Sequence, residues 1–142
     1  MFLLDTNVVS ELRKAKPHGA VLAWFNATPE SSVFISAVTL GEIQRGIELT
    51  RDQNPTKAQE LAHWTDRLAC TGNILPMDAQ TFRVWAGLMH RQSDALFEDA
   101  LIAATAQQHQ LTLVTRNTRD FVVFKVPVLD PFTSFGSHDL NL

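Results

Sequence analysis

The amino-acid sequence predicts an α/β fold of three layers, with helices on both sides of a short, mostly parallel central sheet. Two observations point to this fold. Short apolar runs of strand length recur along the chain, and the stretches between them carry apolar residues at helical spacing. Buried strands that alternate with helices are typical of parallel sheets covered by helices on both faces.

Five apolar runs have the length expected of buried strands. They lie at residues 2–4, 32–36, 74–75, 111–115 and 126–129. The stretches between them begin with residues that commonly cap helices. The first helix is predicted from residue 6 or 7 onward, with Thr6 or Asn7 as its cap. Further helices are predicted at 20–27, from 39 onward, at 55–69, from 78 to 89 and at 97–109.

Three of the helices have recognisable starts. Thr39 and Glu42 have the spacing of a capping box, which places Glu42 in the first turn of its helix. Asn54 before Pro55 predicts a cap followed by proline in the first turn. Asp78 is expected to cap the helix that follows it.

The composition describes an ordinary globular chain. It has 142 residues, 45% hydrophobic and 19% charged, and a formal net charge of −3. The length suits one domain with its own core, expected at residues 1–132, followed by a polar tail at 133–142. The composition excludes disorder and collagen-like repeats. The acidic balance speaks against a protein that coats nucleic acid nonspecifically, since such proteins are strongly basic.

The chain carries no sign of secretion or membrane insertion. Its first residues lack the basic and long apolar regions of a signal peptide, and no apolar run approaches the roughly 18 residues of a spanning helix. The single cysteine, Cys70, excludes an intrachain disulfide and a cysteine-built zinc site. We therefore expect a cytoplasmic protein with no membrane partner.

Three acidic residues occupy unusual places. Asp5 follows the first strand, at the carboxyl edge of the sheet, where open α/β folds bind their ligands. Glu42 lies near the start of the helix after the second strand. Asp99 shares the apolar stripe of its helix, and a carboxylate is rarely buried unless it is paired or ligates a metal.

Each acid also has a purely structural interpretation. Asp5 and Asp99 are favourable near the positive end of a helix dipole. Glu42 could be only the capping-box partner of Thr39. The three together weigh more than each alone, because all of them map near one edge of the predicted sheet.

The loop after the fourth strand, residues 115–121, adds further oxygen atoms. Asn117 and Asp120 offer oxygen ligands and Thr115 a hydroxyl, although each is also typical of an ordinary turn. Oxygen donors of this kind suit Mg²⁺ or Mn²⁺, which would offset the repulsion among the carboxylates. The chemistry that follows is hydrolysis of a phosphodiester by a water that the metal activates.

Four segments of the chain resemble those of PIN-domain ribonucleases, and more closely the VapC toxins of bacterial toxin–antitoxin pairs, including their FitB-like branch. They are LLDTN at 3–7, ISAVTLGE at 35–42, EDALIAA at 98–104 and TRNTRDF at 115–121. Each is weak alone, but they occur in the family's order and span the chain to about Phe132. The match is therefore specific.

The resemblance implies a PIN-like nuclease domain in which Asp5, Glu42 and Asp99 bind Mg²⁺ or Mn²⁺. Asn117 falls where many relatives carry a fourth acid, so that Asn117 or Asp120 would complete the catalytic site. Polar positions that support the site in the family are matched by Thr6, Ser36 and Thr115. Basic side chains that could hold RNA phosphates around the site are Arg13, Lys14, Arg116 and Arg119.

The resemblance also implies partners. They are a VapB-type antitoxin, a second copy of the chain in a homodimer or a higher toxin–antitoxin assembly, and an RNA substrate, either tRNA or ribosomal RNA. Two other functions stay open. One is a phosphatase with Asp5 as covalent nucleophile, although Asn7 stands where such phosphatases carry a second acid. The other is a catalytically weak, PIN-like binding module whose acidic pocket receives a phosphoryl group or an arginine.

Overall fold

A computed structural model of the chain describes residues 1–133, apart from the side chain of residue 71. Its five strands form one sheet in the order β3-β2-β1-β4-β5, and all four pairings are parallel. The strands are β1 (Phe2–Leu4), β2 (Val33–Ser36), β3 (Ile74–Leu75), β4 (Thr112–Val114) and β5 (Val128–Leu129). The predicted α/β class and the parallel sheet are confirmed.

Helices cover both faces of this sheet. They are α1 (Thr6–Arg13), α2 (Gly19–Asn26), α3 (Ala37–Gln53), α4 (Pro55–Thr71), α5 (Ala79–Met89) and α6 (Phe97–Gln108). Short 3₁₀ helices lie at Glu30–Ser32, Asp94–Leu96 and Thr118–Phe124. No helix within residues 1–133 is both long and apolar enough to cross a membrane. The predicted tail at 133–142 lies outside the described residues except for residue 133.

The two cores follow from the alternation of side chains along β1. Leu3 is fully buried on one face, among residues of α6 and the Thr118–Phe124 turn. Leu4 points to the other face, where it packs with Val8 of α1 and Trp24 of α2. Since successive side chains of a strand point to opposite faces, a short apolar run can support both layers.

Two helix starts differ from the sequence prediction. Ser36, not Thr39, caps α3, because its Oγ accepts a hydrogen bond from the Val38 N–H (3.1 Å) directly where β2 ends. The capping box is therefore wrong, and Glu42 lies in the second turn of α3, where its carboxylate is not committed to a cap. Asp5 rather than Thr6 or Asn7 caps α1. The caps at Asn54 and Asp78 are confirmed.

The strand order places one crevice in the sheet. The chain runs from β1 to β2 and β3 on one side and returns on the other side through β4 and β5. Leu4 and Val114, the last residues of β1 and β4, stand side by side in the register. Ligands of open α/β sheets bind at the carboxyl ends of strands where the order reverses. Asp5 and Thr115 follow these two strand ends directly.

Candidate active site

Asp5 stands at the centre of the crevice and is held by three donors. Its Oδ1 accepts a hydrogen bond from the Thr6 N–H (2.8 Å). Its Oδ2 accepts one from the Thr115 hydroxyl (2.8 Å) and one from Asn7 Nδ2 (3.1 Å). The residue is only 8% exposed. Burial raises the pKa of Asp5, and the three hydrogen bonds oppose that rise without cancelling it.

Asn7 connects the two loops that form the crevice. Besides Asp5, its Nδ2 donates to Thr115 Oγ1 (3.2 Å), and its Oδ1 accepts from the Arg116 N–H (3.1 Å). One amide thus fixes the loop after β4 against the start of α1. The sequence predicts Asn7 as a possible helix cap and places it where a phosphatase would carry a second acid, but it does not predict this bridging role. The spacing Asp-x-Asn directly after a strand is the signal that could have indicated it.

Glu42 on α3 and Asp99 on α6 are half-buried and face this same region. The pKa of Glu42 is raised to about 7, first by burial and then by the negative charges of Asp5 and Glu98. The pKa of Asp99 is raised to about 6, first by burial and then by the charges of Asp5 and Asp120. These mutual effects place the carboxylates of four separate chain segments in one electrostatic cluster.

Two of the three predicted supporting residues contact the acids. Thr115 donates to Asp5, as described above. The Thr6 and Thr39 hydroxyls are hydrogen-bonded to each other (Oγ1 to Oγ1, 3.1 Å). A hydrogen bond from Thr6 also lowers the pKa of Glu42, but burial raises that pKa by more. Ser36 is fully buried and acts as the cap of α3. Thr39, buried in the first turn of α3, is a further residue that the sequence does not assign to the site.

Asn117 and Asp120 take different places in the loop after β4. The Asn117 N–H donates to Thr115 Oγ1 (3.0 Å), and the Asn117 carbonyl accepts from the Asp120 N–H (3.0 Å). Both side chains are exposed. The charge of Asp120 raises the pKa of Asp5 and of Asp99. Asp120 therefore adds negative charge to the cluster, whereas Asn117 shapes the loop through its backbone.

The four predicted basic residues are arranged unequally around the cluster. Lys14 is paired with Glu11, and Arg13 is half-buried at the end of α1. Arg119 is exposed in the turn that carries Asp120. Arg116 directly follows Thr115, and its guanidinium lies over the ring of Phe132, 4.6 Å from the ring centroid. Arg116 is thus the basic residue that is tied most closely to the crevice.

The donor set fits a hydrated, oxygen-preferring cation. Carboxylate oxygens dominate the cluster, and the pKa values of Glu42 and Asp99 are raised first by burial and then by neighbouring negative charges, which a cation would offset. Within residues 1–133, no three Asp, Glu, His or Cys side chains converge tightly enough to form a ready-made cage. Mg²⁺ keeps several waters and takes one or two carboxylates directly, so spaced carboxylates suit it better than a closed cage would.

A cavity of about 530 Å³ lies apart from this cluster. It opens between the apolar sides of α1 and α4 and the sheet, and Leu12, Trp64 and Leu68 are among its lining residues. None of Asp5, Glu42, Asp99 or Asp120 lines it. The polar crevice, which holds the perturbed carboxylates, is the better candidate for chemistry.

The sequence of the chain is similar to that of known proteins over nearly its whole length. The PIN domain matches residues 2–125. The VapC ribonuclease Y4jK of Sinorhizobium fredii is 34% identical, with 93% of this chain and 98% of the relative covered. Toxin FitB of Neisseria gonorrhoeae is 33% identical, with 93% of this chain and 99% of the relative covered.

Solved structures show the same fold. The structure of FitAB bound to an IR36 DNA fragment includes a chain with a TM-score of 0.81 and 33% identity, covering 97% of this chain and 100% of that one. A toxin–antitoxin complex from Klebsiella pneumoniae gives a TM-score of 0.63 at 28% identity, covering 92% of this chain and 98% of that one. The predicted resemblance is confirmed: this chain belongs to the PIN-domain family, with VapC ribonucleases and the FitB toxin among its relatives.

Proposed function

We propose that this protein is the toxin of a type II toxin–antitoxin system and acts as a Mg²⁺- or Mn²⁺-dependent endoribonuclease. The observation that carries the proposal is a group of four carboxylates whose charges act on one another: Asp5 after β1, Glu42 on α3, Asp99 on α6 and Asp120 in the turn after β4. The relatives named as ribonuclease and as toxin support the same conclusion. We assign the nuclease domain to residues 1–132.

Asp5, Glu42 and Asp99 are the proposed metal ligands. When bound, the ion would activate a water for attack on the phosphodiester and stabilise the charge of the leaving oxygen. Thr115, Asn7 and the Thr6 N–H hold Asp5 in one orientation, so that little reorganisation is needed on binding. Asp120 adds the fourth carboxylate, and Asn117 holds the loop that presents it.

Glu42 couples ion binding to pH. Because its pKa is about 7, much of this carboxyl is protonated near neutral pH before an ion binds. A bound divalent cation would favour the anionic form and displace that proton, since carboxylates that ligate a metal are deprotonated. Glu42 would therefore hold the ion as a carboxylate.

The substrate is RNA, from the tRNA or ribosomal RNA class, docked by basic side chains around the acidic crevice. The proposed contacts are Arg13, Lys14, Arg116 and Arg119. With a net charge of −3, the protein has no surplus of positive charge for nonspecific coating. A few local phosphate contacts next to the metal site are consistent with that balance, because they position a substrate without binding every RNA tightly.

The proposed protein partners are a VapB-type antitoxin and a second copy of the chain. The similar structures of FitAB and of a toxin–antitoxin complex support an antitoxin as partner. If a small DNA-binding gene lies directly upstream, co-expression of its product with the chain tests this partner. We expect the two proteins to copurify in a defined ratio. Growth arrest by the chain alone, relieved by co-expression of that product, would support the toxin role.

The experiment that tests the function in cells is sequencing of RNA 5′ ends after brief induction of the wild type and of Asp5→Ala. We expect new ends at a small number of positions in tRNA or ribosomal RNA with the wild type, and none with Asp5→Ala. Growth arrest with no new RNA ends in either strain would contradict the ribonuclease assignment.

One observation favours a second candidate, a binding module without strong catalysis. The resemblance to the family places Asn117 where many relatives carry an acid, so the fourth carboxylate depends on Asp120, which is exposed. Tight binding of RNA with no cleavage in Mg²⁺ or Mn²⁺ would favour that module. The phosphatase alternative is less well supported, because both carboxylate oxygens of Asp5 accept hydrogen bonds and the residue is almost buried. Trapping of a phosphoaspartate at Asp5 would support the phosphatase instead.

A further inference from the structure

The backbone of Arg116 is held beside the acidic cluster, and its side chain pairs with none of the carboxylates. Its backbone N–H donates to Asn7 Oδ1, and Asn7 in turn binds Asp5, so the start of the side chain is fixed relative to the central carboxylate. Arginines close to several carboxylates commonly form bidentate ion pairs. Within the described part of the chain, however, Arg116 makes no ion pair, and its guanidinium lies over the ring of Phe132.

Phe132 is itself fixed from three directions. Its ring is half-buried and packs against the core on the α1 and α2 side of the sheet. Its N–H donates to Asp130 Oδ1 (2.8 Å), which sets the turn after β5. The ring of His18, the cap of α2, lies 5.3 Å from the Phe132 ring, centroid to centroid. The ring therefore offers Arg116 a platform that is held by the fold.

Stacking and ion pairing use different parts of a guanidinium. The ring attracts the flat face of the cation, whereas the N–H donors lie in the plane and point outward at its edge. A guanidinium that is stacked on Phe132 keeps those donors available. A guanidinium in a bidentate ion pair with Asp5 or Asp120 would commit one edge of its donors to that carboxylate and would compete with a metal ion for it.

We propose that Phe132 is a positioning residue, which holds the Arg116 side chain at the loop after β4, on the rim of the crevice, so that the guanidinium edge binds a phosphate of the RNA substrate. The inference rests on the proposed ribonuclease function, in which Arg116 is one of the phosphate contacts, and adds to it the aromatic ring that orients this contact. Neither residue takes part in bond cleavage. Phe132 acts on the RNA through Arg116, and its effect depends on an aromatic face at position 132.

The test is a double-mutant cycle on RNA binding, measured with the full chain in a chelator so that no cleavage occurs. The probe is a fluorescein-labelled oligouridine, titrated at several salt concentrations. We expect Arg116→Gln to weaken binding about 5–20-fold. The slope of the logarithm of the binding constant against the logarithm of the salt concentration should become shallower by about one. Phe132→Leu should weaken it about 2–5-fold, the range of a partly exposed cation–π contact. Phe132→Trp should bind like the wild type.

The cycle separates positioning from a structural role. In the Arg116→Gln background, Phe132→Leu should have no further effect, because the ring acts only through the guanidinium. Arg83→Gln, which removes one exposed positive charge from α5, is the matched control and should bind within about twofold of the wild type. An equal loss from Phe132→Leu with and without Arg116 would overturn the proposal, as would failure of Phe132→Trp to restore binding.

The outcomes also distinguish this inference from the proposed function. If the cycle shows coupling but the wild type cleaves no RNA with either metal, the nuclease assignment fails and the phosphate contact stands. If the wild type cleaves RNA and Arg116→Gln binds the probe as tightly as the wild type does, the phosphate contact fails and the nuclease stands. Loss of antitoxin binding with unchanged RNA binding would assign Arg116 to the protein partner and overturn the proposal.

Discussion

The Thr115 hydroxyl donates a hydrogen bond of 2.8 Å to Oδ2 of Asp5, across 110 residues of sequence. The bond joins the residues that directly follow β4 and β1, the two neighbouring strands at which the order of the sheet reverses. It therefore fixes the central carboxylate of the crevice to the loop that carries Arg116 and Asp120. The carboxylate and this loop cannot shift independently without breaking a buried contact.

Replacement of Thr115 by Val keeps the shape of the side chain and removes the donor. Loss of one partner of a buried hydrogen bond costs about 1–3 kcal/mol, and a misplaced catalytic group can slow a reaction about 100-fold. We expect Thr115→Val to lower the free energy of unfolding by about 1–3 kcal/mol. The rate of RNA cleavage should fall about 10–100-fold. Urea unfolding and initial cleavage rates measure the two effects. Thr115→Ser, which keeps the hydroxyl, should retain most of both, and equal losses in the two variants would contradict this role for the hydroxyl.

Asn7→Ala removes the amide that bridges the two loops. Three hydrogen bonds are lost, one of them from the Arg116 N–H, and we expect a loss of about 2 kcal/mol in the free energy of unfolding. Hydrogen exchange should show faster exchange of the Arg116 amide, because the bond that protects it is gone. The matched control is Asn26→Ala at the exposed end of α2, which should leave that amide unchanged. Unaltered protection of the Arg116 amide in Asn7→Ala would contradict the bridge.

The raised pKa of Glu42 makes the fold less stable as the pH rises. In the unfolded chain this carboxyl loses its proton near its ordinary pKa of 4.5, whereas in the folded chain it keeps the proton up to about pH 7. Between these values the folded state binds more protons, so the free energy of unfolding falls as the pH increases through that window. We expect Glu42→Gln to raise the melting temperature at pH 8 by roughly 3–6 °C and to change it little at pH 4. The shift at pH 8 corresponds to about 1–2 kcal/mol in the free energy of unfolding, after solvent screening of this half-buried group is allowed for.

Two measurements control that prediction. Asp66→Asn, the same kind of change at an exposed position of α4, should shift the melting temperature by no more than about 1 °C at either pH. Addition of Mg²⁺ or Mn²⁺ at pH 8 should stabilise the wild type more than Glu42→Gln, because a ligand that binds only the folded state raises its stability. Equal stabilisation of both proteins by the ion would contradict a role for Glu42 in holding it.

Ser36→Ala removes the cap of α3. A lost Ser cap costs about 1 kcal/mol, and we expect a fall of roughly 3–5 °C in the melting temperature. Ser36→Gly should cost only a few tenths of a kcal/mol, since glycine is tolerated at the cap position. If Ser36→Ala left the melting temperature unchanged, the helix start assigned to Ser36 would be wrong.

The layers and the strand-end acids were predictable because their causes are local. Short apolar runs indicated the strands, and the position of Asp5 after one of them placed it at the carboxyl edge of the sheet. The start of α3 was predicted wrongly because Ser36 and Thr39 are both competent caps, and only the end of β2 at Ser36 decides between them. The bridge through Asn7 and the stacking of Arg116 on Phe132 depend on partners brought together by the fold, so local spacing did not indicate them.

The central claim is that the carboxylate cluster binds a divalent metal and hydrolyses RNA. The most direct test compares purified wild type, freed of antitoxin, with Asp99→Asn and the surface control Asp66→Asn, in Mg²⁺, in Mn²⁺ and in chelator. Asp99 is the better target because, unlike Asp5, it does not cap a helix. Wild type and Asp66→Asn should cleave tRNA or ribosomal RNA at the same positions, only with metal, whereas a folded Asp99→Asn should be at least 100-fold slower. Metal-independent cleavage, or undiminished cleavage by Asp99→Asn, would contradict the claim.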